Sequence, residues 1–167
     1  MIREIVIWPD PVLKQVARPV DRVDDGIRRL LDDMAETMYA APGIGLAATQ
    51  VDVHKQVIVI DTSETRDALL VLVNPYILAR EGSQFCEEGC LSVPGVYEAV
   101  ERAEWIHVRA MGLDGKPVEF ESEKLQAVCI QHEMDHLDGT LFVDRLRGLQ
   151  KDLIVRRIKK MSRAGKW

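Results

Sequence analysis

Three residues in the stretch Gln131-His132-Glu133-Met134-Asp135-His136 have the types and spacing for metal-assisted hydrolysis. On a helix, His132 and His136 stand at i and i+4 on one face, with Cβ atoms about 5–6 Å apart, so both imidazoles can reach one ion. Glu133 then stands beside the ion, where a general base takes a proton from a coordinated water. Two histidines four apart also occur as packed or solvated helix residues, so the motif alone leaves both readings open. The chain's other histidines, His54 in a polar turn and His107 in a strand-like run, read as solvated or core residues.

A soft ligand is available upstream, in Cys86-Glu87-Glu88-Gly89-Cys90-Leu91-Ser92. One cysteine joining the two histidines would leave a coordination position open for catalysis, whereas both would close a Cys2His2 structural site. The 41 residues between Cys90 and His132 exceed a zinc-finger spacing but allow a closed site in a larger domain. A closed site, however, gives Glu133 no task. It gives none to Gln50 either, an amide at the end of the small-residue segment Gly43-Ile44-Gly45-Leu46-Ala47-Ala48-Thr49-Gln50 that would need partners if buried. That segment has glycines that permit close backbone approach, but no preceding strand and no Lys-Ser/Thr pair to make it a phosphate loop.

These groups need elements to hold them. Leu125, Val128, Cys129 and His132 trace a helical face, and Gly139 supplies the stop. Asp24 or Asp25 caps a second helix with Ile27, Leu30, Leu31, Met34 and Met38 as its apolar stripe. It ends near Ala41-Pro42-Gly43. Residues 1–23 read as an irregular entry, with a turn at Trp8-Pro9-Asp10-Pro11 and anchors at Leu13 and Val16. Strands are expected at 56–61 and 68–73, the second ended by Asn74-Pro75, with a further short strand at 76–79. Residues 105–111 and 117–122 form strands about an Asp114-Gly115 turn. Leu141-Phe142-Val143 is a short apolar run. A last helix carries Leu146, Leu149, Leu153, Ile154, Ile158 and Met161 as its stripe, with Arg156, Arg157, Lys159, Lys160 and Arg163 around the rest.

The 167 residues, 47% apolar and 29% charged, have the profile of a soluble globular protein, read as a single catalytic domain over 1–167. The start of the chain lacks a signal-like apolar run, and no segment approaches the ~20 apolar residues of a membrane span, so a cytoplasmic location is expected. Three cysteines in a reducing compartment point to ligand or core roles and not to a disulfide framework. The net charge of −5 is uneven: residues 145–167, a basic C-terminal helix and tail, hold nine Lys/Arg against Asp152 alone. The acidic remainder excludes unspecific nucleic-acid binding by the body, and specific DNA binding is not expected.

Taken together, GIGLAATQ at 43–50, EGCLS at 88–92 and QHEMDHLDG at 131–139 closely resemble the three signature motifs of bacterial peptide deformylases, in the same order and spacing. The resemblance implies an α+β fold, with antiparallel β-sheets wrapped around a central metal-binding helix and with an N-terminal and a C-terminal helix. It implies that Cys90, His132 and His136 hold one divalent metal, Fe2+ in cells with Zn2+, Ni2+ or Co2+ as substitutes, and a water in the fourth position. The activity implied is removal of the formyl group from N-terminal formyl-methionine of nascent polypeptides. Glu133 would be general base and acid, with Gln50 and the Leu91 backbone N–H as oxyanion donors. Gly45 and Gly89 would wall the formyl group, and Ile44, Cys86, Leu125, Val128 and Cys129 would line the methionine pocket. Cys86 departs from the apolar or aromatic residue usual there, and Tyr97 falls near the pocket mouth. Glu88 and Arg102 resemble an ion pair bracing the cysteine loop. The basic last helix resembles the family's ribosome-docking tail. A zinc endopeptidase, the nearest rival, usually takes its third ligand downstream of the motif, where this chain has no Glu or His.

Overall fold

The computed structural model describes residues 1–165; Lys166 and Trp167, the end of the basic tail, lie outside the described residues. Helix α1 (Asp25–Ala40) starts where the Asp24 carboxylate accepts the Ile27 N–H at 3.0 Å, and it buries Ile27, Leu30, Leu31, Met34 and Met38 as the spacing predicts. Strands β1 (Gly45–Ala47), β2 (Val57–Ile60), β3 (Leu70–Glu81), β6 (Trp105–Met111) and β7 (Pro117–Glu123) form an antiparallel sheet in the order β1-β2-β3-β6-β7. Among the described residues, strands β4 (Gln84–Cys90) and β5 (Val93–Arg102) pair only with each other. Helix α2 (Lys124–Leu137) carries the histidines, and α3 (Gly148–Arg163) closes the described chain.

Strand β2 shows how the layers form. Its alternation sends Val57 and Val59 to the α1 face, among Leu30, Met34 and Met38, and Ile58 and Ile60 to the α2 face, among Ala127 and Ile130. All four are buried, each worth roughly 1.5–3 kcal/mol of transfer free energy. Behind α2, the β4–β5 hairpin, a 3-10 turn (Phe142–Arg145) and α3 share a third cluster containing Val93, Val96, Val100, Phe142, Ile154 and Ile158. Helix α2 thus lies between the sheet and the hairpin, and ten of its fourteen residues are buried. It stops at Gly139, whose φ of +75° suits glycine and whose added Cβ would stand 2.4 Å from the Lys14 carbonyl oxygen.

Several details differ from the sequence expectation. Asn74-Pro75 does not end a strand: β3 runs on to Glu81 through a register shift, with Asn74 at φ +51° and its amide bonded to both backbone groups of Val20. Segment 76–79 is therefore part of β3. Val16 is exposed and the neighbouring Ala17 is buried in its stead. On α3, Leu149 and Leu153 face solvent while Ile154 and Ile158 are buried, so the packed stripe is narrower than six residues. The 43–50 segment is a strand followed by a 3-10 turn (Ala48–Val51). Among the described residues, no helix is long and apolar enough to cross a membrane.

Asp61, at the end of β2, is fully buried and accepts hydrogen bonds from Tyr39 Oη at 2.6 Å and from the backbone and hydroxyl of Ser63. Burial works against its charge, but the bonds from Ser63, Tyr39 and Ala68 outweigh it and bring its pKa down to about 2. The same burial and bond push Tyr39 up to about 12. A carboxyl with a lowered folded-state pKa stabilises the fold fully above its ordinary value of 3.8, and this is lost as pH falls towards 2. Asp61→Asn should flatten the urea-unfolding stability profile across that window; a variant profile as steep as wild type would remove Asp61 from acid unfolding.

Candidate metal centre

Helical spacing and hairpin geometry bring the cluster together from separate parts of the chain. His132 and His136 stand one turn apart on α2, with ring centroids 5.1 Å apart. Cys90 ends β4, where a register shift between Glu88 and Cys90 turns the strand end towards the helix. The Cys90 sulfur lies 3.3 Å from His136 Nε2, and one ligand atom from each of the three residues lies within 4.8 Å of the others. Donors held around one tetrahedral ion at 2.0–2.3 Å stand about 3.3–3.6 Å apart, so a thiolate and two imidazoles so placed fit a divalent ion. His132 Nδ1 lies 2.8 Å from Glu88 Oε1, which fixes an N–H there and leaves Nε2 free as a metal donor.

Cys86 does not join the cluster. Strand alternation places it on the Glu88 face but two residues further out, along the wall of the adjacent cleft. His54 bonds Asp52 and His107 lies 3.5 Å from Glu119; neither belongs to the group. The closed Cys2His2 alternative is thus not what the geometry assembles among the described residues.

The cleft beside the cluster has a volume of about 820 Å³. Its lining includes Gln50, Cys90, Leu91, His132 and Glu133 together with Ile44, Gly45, Cys86, Gly89, Leu125, Val128 and Cys129, so nearly every candidate from the sequence meets in one place. His136 is fully buried beneath it. Tyr97 stacks over Gly89, where a Cβ would come within 2.5 Å of its ring. Gly45 faces Glu133 in the same way, its added Cβ falling 2.5 Å from Glu133 Oε2.

The Gln50 amide is oriented by its neighbours: Oε1 accepts the Ala47 N–H at 2.9 Å, so Nε2 is turned towards Ser92 Oγ at 3.1 Å and the Cys90 sulfur at 3.6 Å. Among the described residues, Glu133 Oε1 is buried without a protein hydrogen-bond partner, as is His136 Nδ1. Burial lifts Glu133 to about 7, against the pull of His132. Burial also lowers His136, while for His132 the Glu133 carboxylate and the bonds to Cys90 and Glu88 overcome burial and raise it. Arg102 holds Glu88 through two bonds of 2.9 Å, and with His132 it keeps that carboxyl below its usual range despite burial.

A family model described as polypeptide deformylase matches residues 2–152. The chain belongs to the polypeptide deformylase family. A peptide deformylase of Alkalilimnicola ehrlichii is 57% identical over 166 residues, covering 99% of this chain and 93% of the relative. Among solved structures, the Legionella pneumophila peptide deformylase aligns with a TM-score of 0.92 at 43% identity, covering 99% of this chain and 98% of the other. The Ehrlichia chaffeensis peptide deformylase in complex with actinonin aligns at 0.90 and 36% identity, covering 97% and 98%. The deformylase fold, α+β with antiparallel sheets about the histidine helix, is therefore that of this chain.

Sequence reasoning missed four residues that adjoin this candidate site. Ser92 bonds Gln50, Phe142 stacks 6.1 Å from the His132 ring, and Asp135 and Arg145 extend the Arg102 ion pair. Only Asp135 left a signal, an acid on the buried part of α2 that requires a cation.

Proposed function

We propose that this chain, acting as one catalytic domain over 1–167, removes the formyl group from N-terminal formyl-methionine of nascent polypeptides and releases formate. The observation that carries the proposal is a thiolate and two imidazoles within 4.8 Å, beside a buried carboxylate that is no part of the set. A divalent ion held by Cys90, His132 and His136 would supply Lewis acidity, the property that lowers a water's pKa from 15.7 to about 7. Fe2+ in cells, with Zn2+, Ni2+ or Co2+ as substitutes, suits one sulfur and two nitrogen donors.

The protein's own groups then move the proton and hold the charge. Glu133, raised to about 7, takes the proton of the attacking water and returns it to the departing amine, a value suited to both tasks near neutral pH. Gln50 Nε2 and the Leu91 backbone N–H donate to the carbonyl oxygen as it gains charge, each worth about 3–4 kcal/mol of barrier. Gly45 and Gly89 leave room for hydrogen on the acyl carbon but not for a methyl. The apolar wall of Ile44, Cys86, Leu125, Val128 and Cys129 receives the methionine side chain.

The test is formate release from formyl-Met-Ala-Ser and from acetyl-Met-Ala-Ser, using anaerobically prepared protein loaded with Fe2+, Ni2+ or Co2+. Formate from the first peptide and no acetate from the second is expected. One retained zinc with no formate under any loading would overturn the proposal in favour of a structural site.

Gly45→Ala should lower kcat/KM about 10²-fold, because the new methyl displaces the Glu133 carboxylate, while the melting temperature changes little. Unchanged turnover would remove this contact from the mechanism. On α3, Arg156, Arg157, Lys159, Lys160 and Arg163 are exposed, which supports docking on ribosomal RNA. Replacing the first four by glutamine should reduce co-sedimentation with ribosomes and leave tripeptide turnover intact; undiminished sedimentation would dismiss the docking role.

A further inference from the structure

A continuous line of ion pairs runs from the surface to a candidate metal ligand. Arg145, at the end of the 142–145 turn, grips Asp135 with Nε on Oδ2 at 3.0 Å and Nη2 on Oδ1 at 2.6 Å. Asp135 Oδ2 also accepts Arg102 Nη1 at 2.5 Å. The remaining face of the Arg102 guanidinium holds both oxygens of Glu88, and Glu88 Oε1 fixes His132 Nδ1. The inner three are shut away, with side-chain exposures of 3% for Arg102, 5% for Glu88 and 10% for Asp135. Arg145 is half exposed. It lines a second cleft of about 360 Å³ that shares no lining residue with the substrate cleft.

We propose that Arg145 is a positioning residue for His132, acting through Asp135, Arg102 and Glu88. The inference rests on the metal-site reading above and adds to it a residue outside all three sequence motifs.

The physical case is one of geometry and charge. Two carboxylates flanking one buried guanidinium leave that group with a net negative charge, and Arg145 makes it neutral. It also occupies both Asp135 oxygens, so the carboxylate cannot turn away from Arg102. Without it, Asp135 Oδ1 loses its one side-chain donor among the described residues. Arg102 then has a freer partner on one side and a fixed one on the other. The bond that orients the His132 ring is shared with Arg102 on the same Glu88 oxygen, so it feels the change. The same turn supports the ring directly, since Phe142 stacks against His132. Partners that orient a ligating histidine typically change metal affinity 10–100-fold when lost; three links further out, a smaller factor of about 3–10 is expected.

The experiment uses the full chain loaded with Co2+, timing its transfer to excess chelator and recording its visible ligand-field bands. Arg145→Ala should release Co2+ about 3–10-fold faster, with shifted bands and with kcat lowered at unchanged KM for the formyl tripeptide. Arg147→Ala, which removes an equal charge from an exposed neighbour, should match wild type. Arg145→Lys should stay closer to Arg145→Ala than to wild type, because a single ammonium cannot grip both oxygens. Should Arg145→Ala not fold, Arg145→Gln carries the same expectations. Release and bands identical to wild type, an equal effect of Arg147→Ala, or full rescue by lysine would each overturn the positioning role. Wild-type protein that binds no stoichiometric Co2+ would instead overturn the metal reading itself.

Discussion

Glu133→Gln should cut formate release about 10²–10⁴-fold while the protein still binds one metal ion per chain. The substitution keeps the shape that packs against Gly45 and removes only the capacity to take a proton. Glu133 is buried at 4% exposure and stands outside the three-residue donor group, so the ligands stay in place. Single-turnover formate release together with metal content by atomic absorption separates the two quantities. Turnover within tenfold of wild type would take the carboxylate out of the chemistry, and loss of metal would make it a ligand.

The second large effect falls on stability. Arg102→Met removes the guanidinium that bridges two buried carboxylates, leaving Asp135 with the half-exposed Arg145 and Glu88 with the His132 ring. Breaking a buried ion pair from one side costs about 3–5 kcal/mol. In a chain of this size that is a melting-temperature drop of about 10 °C or more. Adding Glu88→Gln and Asp135→Asn should recover much of the loss, because the penalty belongs to two carboxylates that have each lost their buried cation and not to the missing volume. A drop under about 3 °C in the single variant, or no recovery in the triple, would show that the network is not what holds the hairpin to α2.

Periodicity made the helices and the sheet largely legible. Ile27 to Met38 declare α1 because a stripe at that spacing has only one way to be buried, and Asp114-Gly115 fixes β6 against β7 for the same local reason. The convergence of Cys90, His132 and His136 was legible because each carries its chemistry in its side chain. What escaped was whatever depends on an element elsewhere in the fold. Asn74-Pro75 looks like a strand end until Val20 is seen to bond the Asn74 amide and hold a bulge. Val16 and Leu149 are apolar residues with no neighbour to cover them, which composition cannot foretell. Arg102 on β5 reads as a partner of Glu88 alone, and its second carboxylate, Asp135, comes from α2 and shows only in the fold. Arg145 could not be read at all, since its partner lies across the stop of α2.

The three proposed donors come from two units that form no common sheet: Cys90 from the two-stranded hairpin, and the histidines from the helix behind the five-stranded sheet. A partly made chain emerging from its synthesis holds the thiol long before it holds either imidazole, and has no place to chelate an ion. Under the proposed ligand set, loading would be a late event, contingent on hairpin and helix having docked, and an occupied centre would certify a finished molecule. The converse follows for turnover in the cell. Without the proposed ion, hairpin and helix would keep the Arg102–Asp135 link but lose the one through Cys90, so metal starvation should raise the rate of proteolysis first within the hairpin.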